Sequence, residues 1–238
     1  MKQGAQISEG KAKILYETED KSLILQYFKD DATAFDGKKK GSIKDKGILN
    51  NSISSLIFQL LEKEGIKTHF VEKVSDREML IKRVDIIPIE VVVRNITAGS
   101  LAKRMGVEEG RVMTETIIEL YYKDDALGDP MINDYHVRAF GLGTQKEIDI
   151  CREKALKVNK IMTALFDDVG LTLVDYKLEF GRIGSEIILA DEISPDNCRL
   201  WDKVSGEKMD KDRFRRGLGN IEEAYQEVLK RLSEKGIK

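Results

Sequence analysis

Histidine and cysteine are scarce: the 238 residues hold two of each. With only His69 and His136, far apart in the chain, a histidine metal cluster is argued against. Cys151 and Cys198 show no C-x-x-C spacing and no disulfide framework, which suits a reducing compartment. Neither sign of charge is in excess, since 40 basic and 42 acidic side chains leave a formal −2. That balance gives no footprint for a nucleic-acid polyanion. No apolar run nears the roughly 20 residues of a membrane span, and the polar start Met1-Lys2-Gln3-Gly4 shows no apolar leader. A cytoplasmic protein of small-molecule chemistry is expected, with neither nucleic acid nor membrane as partner. Three common catalytic signatures are missing too: G-x-x-x-x-G-K-[ST], H-E-x-x-H and G-x-S-x-G. Gly141-Leu142-Gly143 lacks the strand and third glycine of a dinucleotide loop, and nothing supports a serine or cysteine nucleophile.

What is present is ordinary globular material, 41% hydrophobic and 34% charged. Short strands are predicted at 12–17 and 23–28, forming a hairpin, and a helix over about 46–64 puts Leu49, Ile53, Leu56, Leu60 and Leu61 on one face. Three strands follow at 69–74, 79–84 and 86–94, and Pro88 places an edge or a bulge at the start of the last. Further on come a short helix at 100–105, a strand at 117–122 and a long helix over 145–168. The long helix carries the stripe Ile148, Cys151, Ala155, Val158, Met162 and Leu165. Cys151 is therefore read as a packed thiol. A hairpin at 171–180 and 186–193, turning within 182–185, precedes a last helix at 221–232. The pattern is α+β with two lobes, a strand-rich antiparallel N-terminal lobe at 1–84 and a mixed α/β lobe at 85–238, with a ligand cleft between them.

The strongest local signal is Leu171-Thr-Leu-Val-Asp-Tyr-Lys-Leu-Glu-Phe-Gly181. Alternate side chains of a strand share a face, so Val174, Tyr176, Leu178 and Phe180 point to a core. Asp175, Lys177 and Glu179 point the other way, about 7 Å from one to the next. A solvated edge face is the plain alternative. The next strand ends in Asp191-Glu192; a three-residue loop at 182–184 sets Asp191 opposite Asp175 and on the face of Glu179, whereas a two-residue loop sets it on the wrong face. Opposed carboxylates need a cation between them. Lys177 offers one, and Mg²⁺, which favours one or two carboxylates with phosphate oxygens, offers another.

A second cluster, Pro88-Ile-Glu90-Val-Val-Val-Arg94-Asn-Ile-Thr-Ala-Gly99-Ser100, ends a strand on a glycine and a helix-capping serine. Arg94 and Ser100 there suit a phosphate. Glu9-Gly10-Lys11-Ala12-Lys13 is a weaker candidate for a loop over nucleotide phosphates, and Lys38-Lys39-Lys40 reads better as a solvated loop. His69 reads as structural, and His136 as a lesser ligand candidate in a polar loop. A small-molecule kinase and a nucleotide-sensing or RNA-binding module are the rival readings.

Taken together the motifs resemble the SAICAR synthetase family. The matching segments are GKAK from Gly10, KGILNN from Lys46, PIEVVVRNITAGS from Pro88, DPMIND from Asp129, LVDYKLEFG from Leu173, DEISPDNCRLWD from Asp191 and MDKDRFR from Met209. Lys67 departs from the proline that many relatives carry there. The resemblance implies a kinase-like N-terminal lobe and a carbon–nitrogen ligase. Such an enzyme joins the carboxylate of CAIR to the amine of L-aspartate with ATP, giving SAICAR, ADP and phosphate in purine biosynthesis. It further implies that Glu179 and Asp191 hold nucleotide-bound Mg²⁺, with Lys11, Lys13 and Lys123 near the phosphates. Glu90, Asp129 and Asp175 are implied at a second metal, with Lys177 beside the reacting carboxylate. Arg94, Ser100 and Arg199 are implied at the ribose phosphate and Asp196 at the imidazole amine. The adenine is implied along Lys82 to Val84, and separately the Asp36-Gly37 loop with its lysines is a candidate for the aspartate. A homodimer is the expected assembly.

Overall fold

The computed structural model describes residues 3–34 and 39–236. The chain begins with three strands, β1 (Gln6–Glu9), β2 (Lys13–Glu17) and β3 (Leu23–Phe28), followed by a small ribbon of β4 (Asp31–Ala34) and β5 (Lys39–Ser42). Helix α1 (Lys46–Lys63) leads to β6 (Phe70–Lys73) and β7 (Glu78–Lys82). An antiparallel sheet results, in the order β1-β2-β3-β7-β6. Next come β8 (Asp85–Ile96), α2 (Gly99–Met105), β9 (Val112–Tyr122), β10 (Met131–Ile132), α3 (Asp134–Ala139) and α4 (Gln145–Asp168). The chain finishes with β11 (Leu171–Ile183), β12 (Glu186–Ala190), β13 (Cys198–Asp202), α5 (Asp212–Arg216) and α6 (Ile221–Glu234). The second sheet runs β10-β9-β8-β11-β12, and β13 also pairs with β11.

The expected α+β character is what the structure has. Helix α4 spans the predicted residues, and its stripe of Ile148, Cys151, Ala155, Val158, Met162 and Leu165 is buried. It starts at a capping box in which Thr144 Oγ1 accepts from the Glu147 N–H and Glu147 accepts from the Thr144 N–H, worth about 1 kcal/mol. Burial pushes the Cys151 thiol up to about 12, as befits a packed core group. Helix α1 packs the expected face on the core and buries more besides. It buries Leu49, Ile53, Ile57, Phe58 and Leu61, while Leu56 and Leu60 are half-buried. Polar residues share the buried side: Asn51 Nδ2 donates to the Ser75 and Asp76 carbonyls, and Ser54 Oγ to that of Ile193. The lysine run differs from expectation, because Lys39 lies in β5 and its ammonium donates to the Phe214 carbonyl. Lys38 and the Asp36-Gly37 pair lie outside the described residues.

The two sheets are stitched together at residues 67–69, where the His69 N–H donates to the Leu189 carbonyl (2.8 Å) and the Leu189 N–H to that of Lys67 (3.1 Å). One hydrophobic cluster then runs from Phe28, Ile53 and Phe70 through Val91 and Leu178 to Val158 and Val228. Strand β11 is the spine. Its one edge pairs with β8, and its other edge is shared end to end by β12 and β13. Pro88 falls where β8 slips against β11, between the pairs Glu179↔Glu90 and Gly181↔Ile86, which is the bulge its missing N–H demands. No helix among the described residues is long and apolar enough to cross a membrane.

The link between the sheets, Arg83-Val84, lies against Gly181. A Cβ added there would sit 2.6 Å from Val84 Cγ2 and 2.7 Å from its Cβ. Gly181→Ala should therefore cost about 1–3 kcal/mol of stability, as overpacking does, and adding Val84→Ala should recover most of it. Urea unfolding of the single and double variants checks this; an unchanged midpoint in Gly181→Ala would contradict it.

Candidate functional site

A cleft of about 710 Å³ opens between the sheets. Leu15, Ile24 and Ile81 give it an apolar wall on the first sheet, and Glu90, Lys177 and Glu179 a charged wall on the second. Fifteen of the residues expected at the site line it: Lys11, Lys13, Lys82, Val84, Glu90, Arg94, Ser100, Lys123, Asp129, Asp175, Lys177, Glu179, Asp191, Asp196 and Arg199. His136 does not; it caps α3 through Asn133.

One end of the cleft is built on carboxylates. Glu90 and Glu179 stand directly opposite each other in the β8–β11 pair. The Lys177 ammonium lies 3.1 Å from Glu90, 2.6 Å from Glu179 and 3.1 Å from Asp191. Lys13 pairs with Asp191 and lies 3.2 Å from Glu192, and Lys123 lies 2.9 Å from Glu179. Burial works against the charge on Lys177, yet Asp191, Glu179 and Glu90 outweigh it and raise its pKa well above the usual amine range. Burial likewise opposes the Asp191 carboxylate, and Lys13 and Lys177 reverse this and hold its pKa far below the ordinary range. Glu90 moves the other way, raised by burial, with Lys177 opposing and Glu179 adding to the rise.

The turn that brings Asp191 here is not the expected one. Ile183 pairs with Glu186 across a two-residue loop, and Glu179 pairs with Ala190. Continued regularly, that register would put Asp191 on the face of Leu178. Instead Asp191 adopts a left-handed backbone, φ 64°, which breaks the strand and swings its carboxylate to Lys177 and Lys13. The cause is the hand-over from β12 to β13 along one edge of β11. Residues 191–197 must arch across the gap, held by Ser194 N–H to Asn197 Oδ1 at 2.9 Å.

Asp175 is not opposite Asp191 and does not join the other carboxylates. It pairs with Arg94 on β8 and Arg199 on β13, with Arg94 Nη1 at 2.9 Å and Arg199 Nη1 at 2.8 Å from Oδ2. Arg94 donates further to Glu119 (2.6 Å), Tyr121 (3.2 Å) and Ser100 Oγ (3.1 Å). Ser100 is thus not the expected helix cap; Ala98 stands at that position, and the hydroxyl accepts from Arg94. Gly99, φ 52°, is required here, because a Cβ would lie 2.4 Å from Arg199 Nη2. Arg199 Nε donates to Asp212 at 3.0 Å, and Arg215 and Arg216 meet the same carboxylate.

Asp196 is buried with three donors: Lys46 at 2.8 Å, Lys211 at 3.5 Å and the Tyr225 hydroxyl at 2.8 Å. Lys82 donates to the Thr68 carbonyl at 2.9 Å, Lys11 reaches Asp125 at 2.8 Å, and Asp129 accepts from the Asp124 N–H at 2.9 Å. Glu192, Lys211 and Arg215 line the cleft without having been anticipated from sequence. The last two lay in the quoted segment from Met209, and their spacing of four puts them on one face of a helix. His69, read as structural, is buried beside Phe58 and lines the cleft as well.

Comparison with known proteins follows this geometry. The family model of SAICAR synthetase matches residues 6–232. The phosphoribosylaminoimidazole-succinocarboxamide synthase of Clostridium kluyveri is 57% identical, covering 98% of this chain and all of that one. The crystal structure of the synthase of that name from Ehrlichia chaffeensis superposes with a TM-score of 0.94 at 47% identity, covering 96% of this chain and 98% of that one. A SAICAR synthetase solved in complex with ADP gives a TM-score of 0.93 at 48% identity, covering 95% and 97%.

Removing the ammonium that three carboxylates share tests the electrostatics directly. Lys177→Met should cost about 3–5 kcal/mol at pH 8, the usual penalty for stripping a buried ion of its partner. The deficit should shrink toward pH 5. Glu90, already raised by burial and opposed by Lys177, is then raised further, so its protonation favours the folded state as pH falls. Urea unfolding at both pH values measures it, and an equal deficit at the two would refute the shared-ammonium account.

Proposed function

The chain belongs to the SAICAR synthetase family and is an ATP-dependent ligase that forms SAICAR in purine biosynthesis, and we propose how its cleft does so. One observation carries the reading: the cleft holds two charged ends of opposite surplus. At the Lys177 end four carboxylates, Glu90, Glu179, Asp191 and Glu192, meet three ammonium groups, Lys13, Lys123 and Lys177. At the other end four lining cations, Arg94, Arg199, Lys211 and Arg215, stand with two lining carboxylates, Asp175 and Asp196. The first surplus suits a cation with its nucleotide, and the second suits the dianionic phosphate of a ribonucleotide.

In this reading residues 1–84 form a kinase-like lobe that covers ATP, and 85–238 form the lobe for substrate and metal. The base lies along Lys82 to Val84, and Lys11, Lys13 and Lys123 face the phosphates. Arg199 and Ser100, held in place by Arg94, take the ribose phosphate of CAIR, and Asp196 faces its imidazole amine. The enzyme works in the cytoplasm as a homodimer. Mg²⁺ fits the acidic end by donor chemistry, a surplus of hard oxygen ligands. Among the described residues no three acidic, histidine or cysteine side chains form a ready cage, and Mg²⁺ requires none when phosphate oxygens and water complete its shell. Glu179 and Asp191 would hold the nucleotide-bound ion, and Glu90 and Asp129 a second one. Asp175, engaged by two arginines, leaves that set. Bound there, the metal would neutralise charge on the transferred phosphoryl group.

The chemistry needs no protein nucleophile. An oxygen of the CAIR carboxylate attacks the γ-phosphorus of ATP, the bond to the bridging oxygen breaks, and ADP leaves with the electron pair. The aspartate nitrogen attacks the resulting acyl phosphate at carbon, phosphate leaves, and the nitrogen sheds a proton. Lys177 holds positive charge beside the reacting carboxylate, and Lys13 beside the phosphates. Positioning and charge neutralisation supply the catalysis.

ADP release should require CAIR and L-aspartate together; release with CAIR alone at the full rate would point to a kinase. Glu179→Gln and Asp191→Asn should each lower turnover on the order of 10³-fold with the circular dichroism spectrum kept. Asparagine accepts the left-handed backbone of position 191, so a folded protein is expected. Near-normal turnover in both variants would remove these carboxylates from the mechanism.

A further inference from the structure

The phosphate end of the cleft rests on two residues of β9 that do not line it. Register sets Glu119 opposite Val92 and Tyr121 opposite Glu90, so both side chains share one face of the second sheet with Arg94. Glu119 is buried, and neither residue reaches the cleft. Together they close a ring on the Arg94 guanidinium. Arg94 Nε donates to Glu119 Oε2 at 2.6 Å, and Arg94 Nη2 donates to the Tyr121 hydroxyl at 3.2 Å. That hydroxyl donates in turn to the same Glu119 oxygen at 2.8 Å. Glu119 Oε1 accepts from Arg104 on α2, which anchors the carboxylate from its other side.

A guanidinium is a rigid planar fork, so holding Nε and one N–H of Nη2 fixes the direction of every other N–H. Nη1 then meets Asp175 at 2.9 Å, and Nη2 meets Ser100 Oγ at 3.1 Å. The exposed Ser100 hydroxyl accepts there, which leaves its own proton for the cleft that it lines. Charge alone does not account for Glu119. Asp175 already lies against Arg94, and one more carboxylate beside a phosphate site repels the ligand. A methionine at position 119 would fill similar volume and leave this end of the cleft more positive. What the carboxylate adds is direction, since it accepts from Arg94 and Tyr121 at a single oxygen.

We infer that Glu119, with Tyr121, is a positioning residue for the ribose phosphate of CAIR, orienting Arg94 so that Ser100 presents its O–H to a phosphate oxygen. This rests on the placement of that phosphate given above. Steady-state kinetics test it, with KM for CAIR and KM for ATP measured in each variant. Glu119→Ala should raise KM for CAIR about tenfold or more, the worth of a charge-assisted hydrogen bond, and leave KM for ATP unchanged. Glu119→Gln keeps an acceptor for Arg94 Nε and should restore most of that loss. Tyr121→Phe removes one hydroxyl and should raise KM for CAIR about threefold; it decides the question by the same split if Glu119→Ala does not fold. A role within the fold alone would lower the melting temperature and spare both KM values, or raise both equally, and either result overturns the inference. A KM for CAIR that falls in Glu119→Ala, or a glutamine no better than alanine, overturns it as well. An unchanged KM for CAIR in Ser100→Ala alone would overturn the positioning role and leave the phosphate placement standing. The same result in Arg199→Ala too would overturn the placement, and the positioning role with it.

Discussion

The Lys177 ammonium holds apart and together the three carboxylates of Glu90, Glu179 and Asp191. Two of them face each other across the central strand pair of the second sheet, where like charges repel. Without a cation between them, the strands that carry both ends of the cleft would be strained at their middle. The third belongs to the arch linking β12 to β13, and β12 is also the strand that binds the first sheet through Leu189. A single positive charge thus steadies the spine strand, the arch and, one strand away, the junction of the two sheets. The same contacts hold Lys177 charged despite its burial, so it works as a fixed electrostatic element and not as a proton carrier.

Asp175 plays the mirrored part. It is one buried carboxylate between two arginines, two residues along the same strand from Lys177. Consecutive positions on one face of β11 therefore carry an anion ringed by cations, then a cation ringed by anions. Neither centre is free to bind ligand through its whole charge, and what remains is the surplus of each neighbourhood. That surplus is negative around Lys177 and positive around Asp175. The polarity that a Mg-nucleotide and a ribose phosphate would recognise is fixed before either arrives, which lowers the reorganisation left to binding.

The regular parts of this architecture were legible in the sequence. The stripe of α4, the alternation of β11 and the hairpin of β2 and β3 follow from spacing alone, because each buries one apolar face against one neighbour. Helix α1 buries more than its apolar face, because Asn51 and Ser54 bond to loop carbonyls that no periodicity reveals. The cleft residues were recognised as a set, but their partners were not. Nothing in the sequence ties Lys13 to Asp191 across 178 positions, or Asp196 to Lys46, Lys211 and Tyr225. Charge pairing of this kind is a property of the folded register, and Asp175 was grouped with the wrong carboxylates for that reason.

Departures from regularity are where the functional groups sit. Pro88 marks the slip that precedes Glu90, Gly99 opens the space that Arg199 Nη2 occupies, and Asp191 leaves the strand through a left-handed residue. The last is the most telling. A left-handed backbone costs a non-glycine residue roughly 1–2 kcal/mol, and nothing in the turn itself demands it, since the two-residue loop already closes the hairpin. The strain is offset by the contacts it creates, to Lys13 and Lys177. A regular β12 would have been cheaper for the sheet and would have turned the carboxylate into the core beside Leu178. The geometry of position 191 is therefore set by the cleft and tolerated by the fold, and only a residue both acidic and able to adopt that backbone meets both conditions.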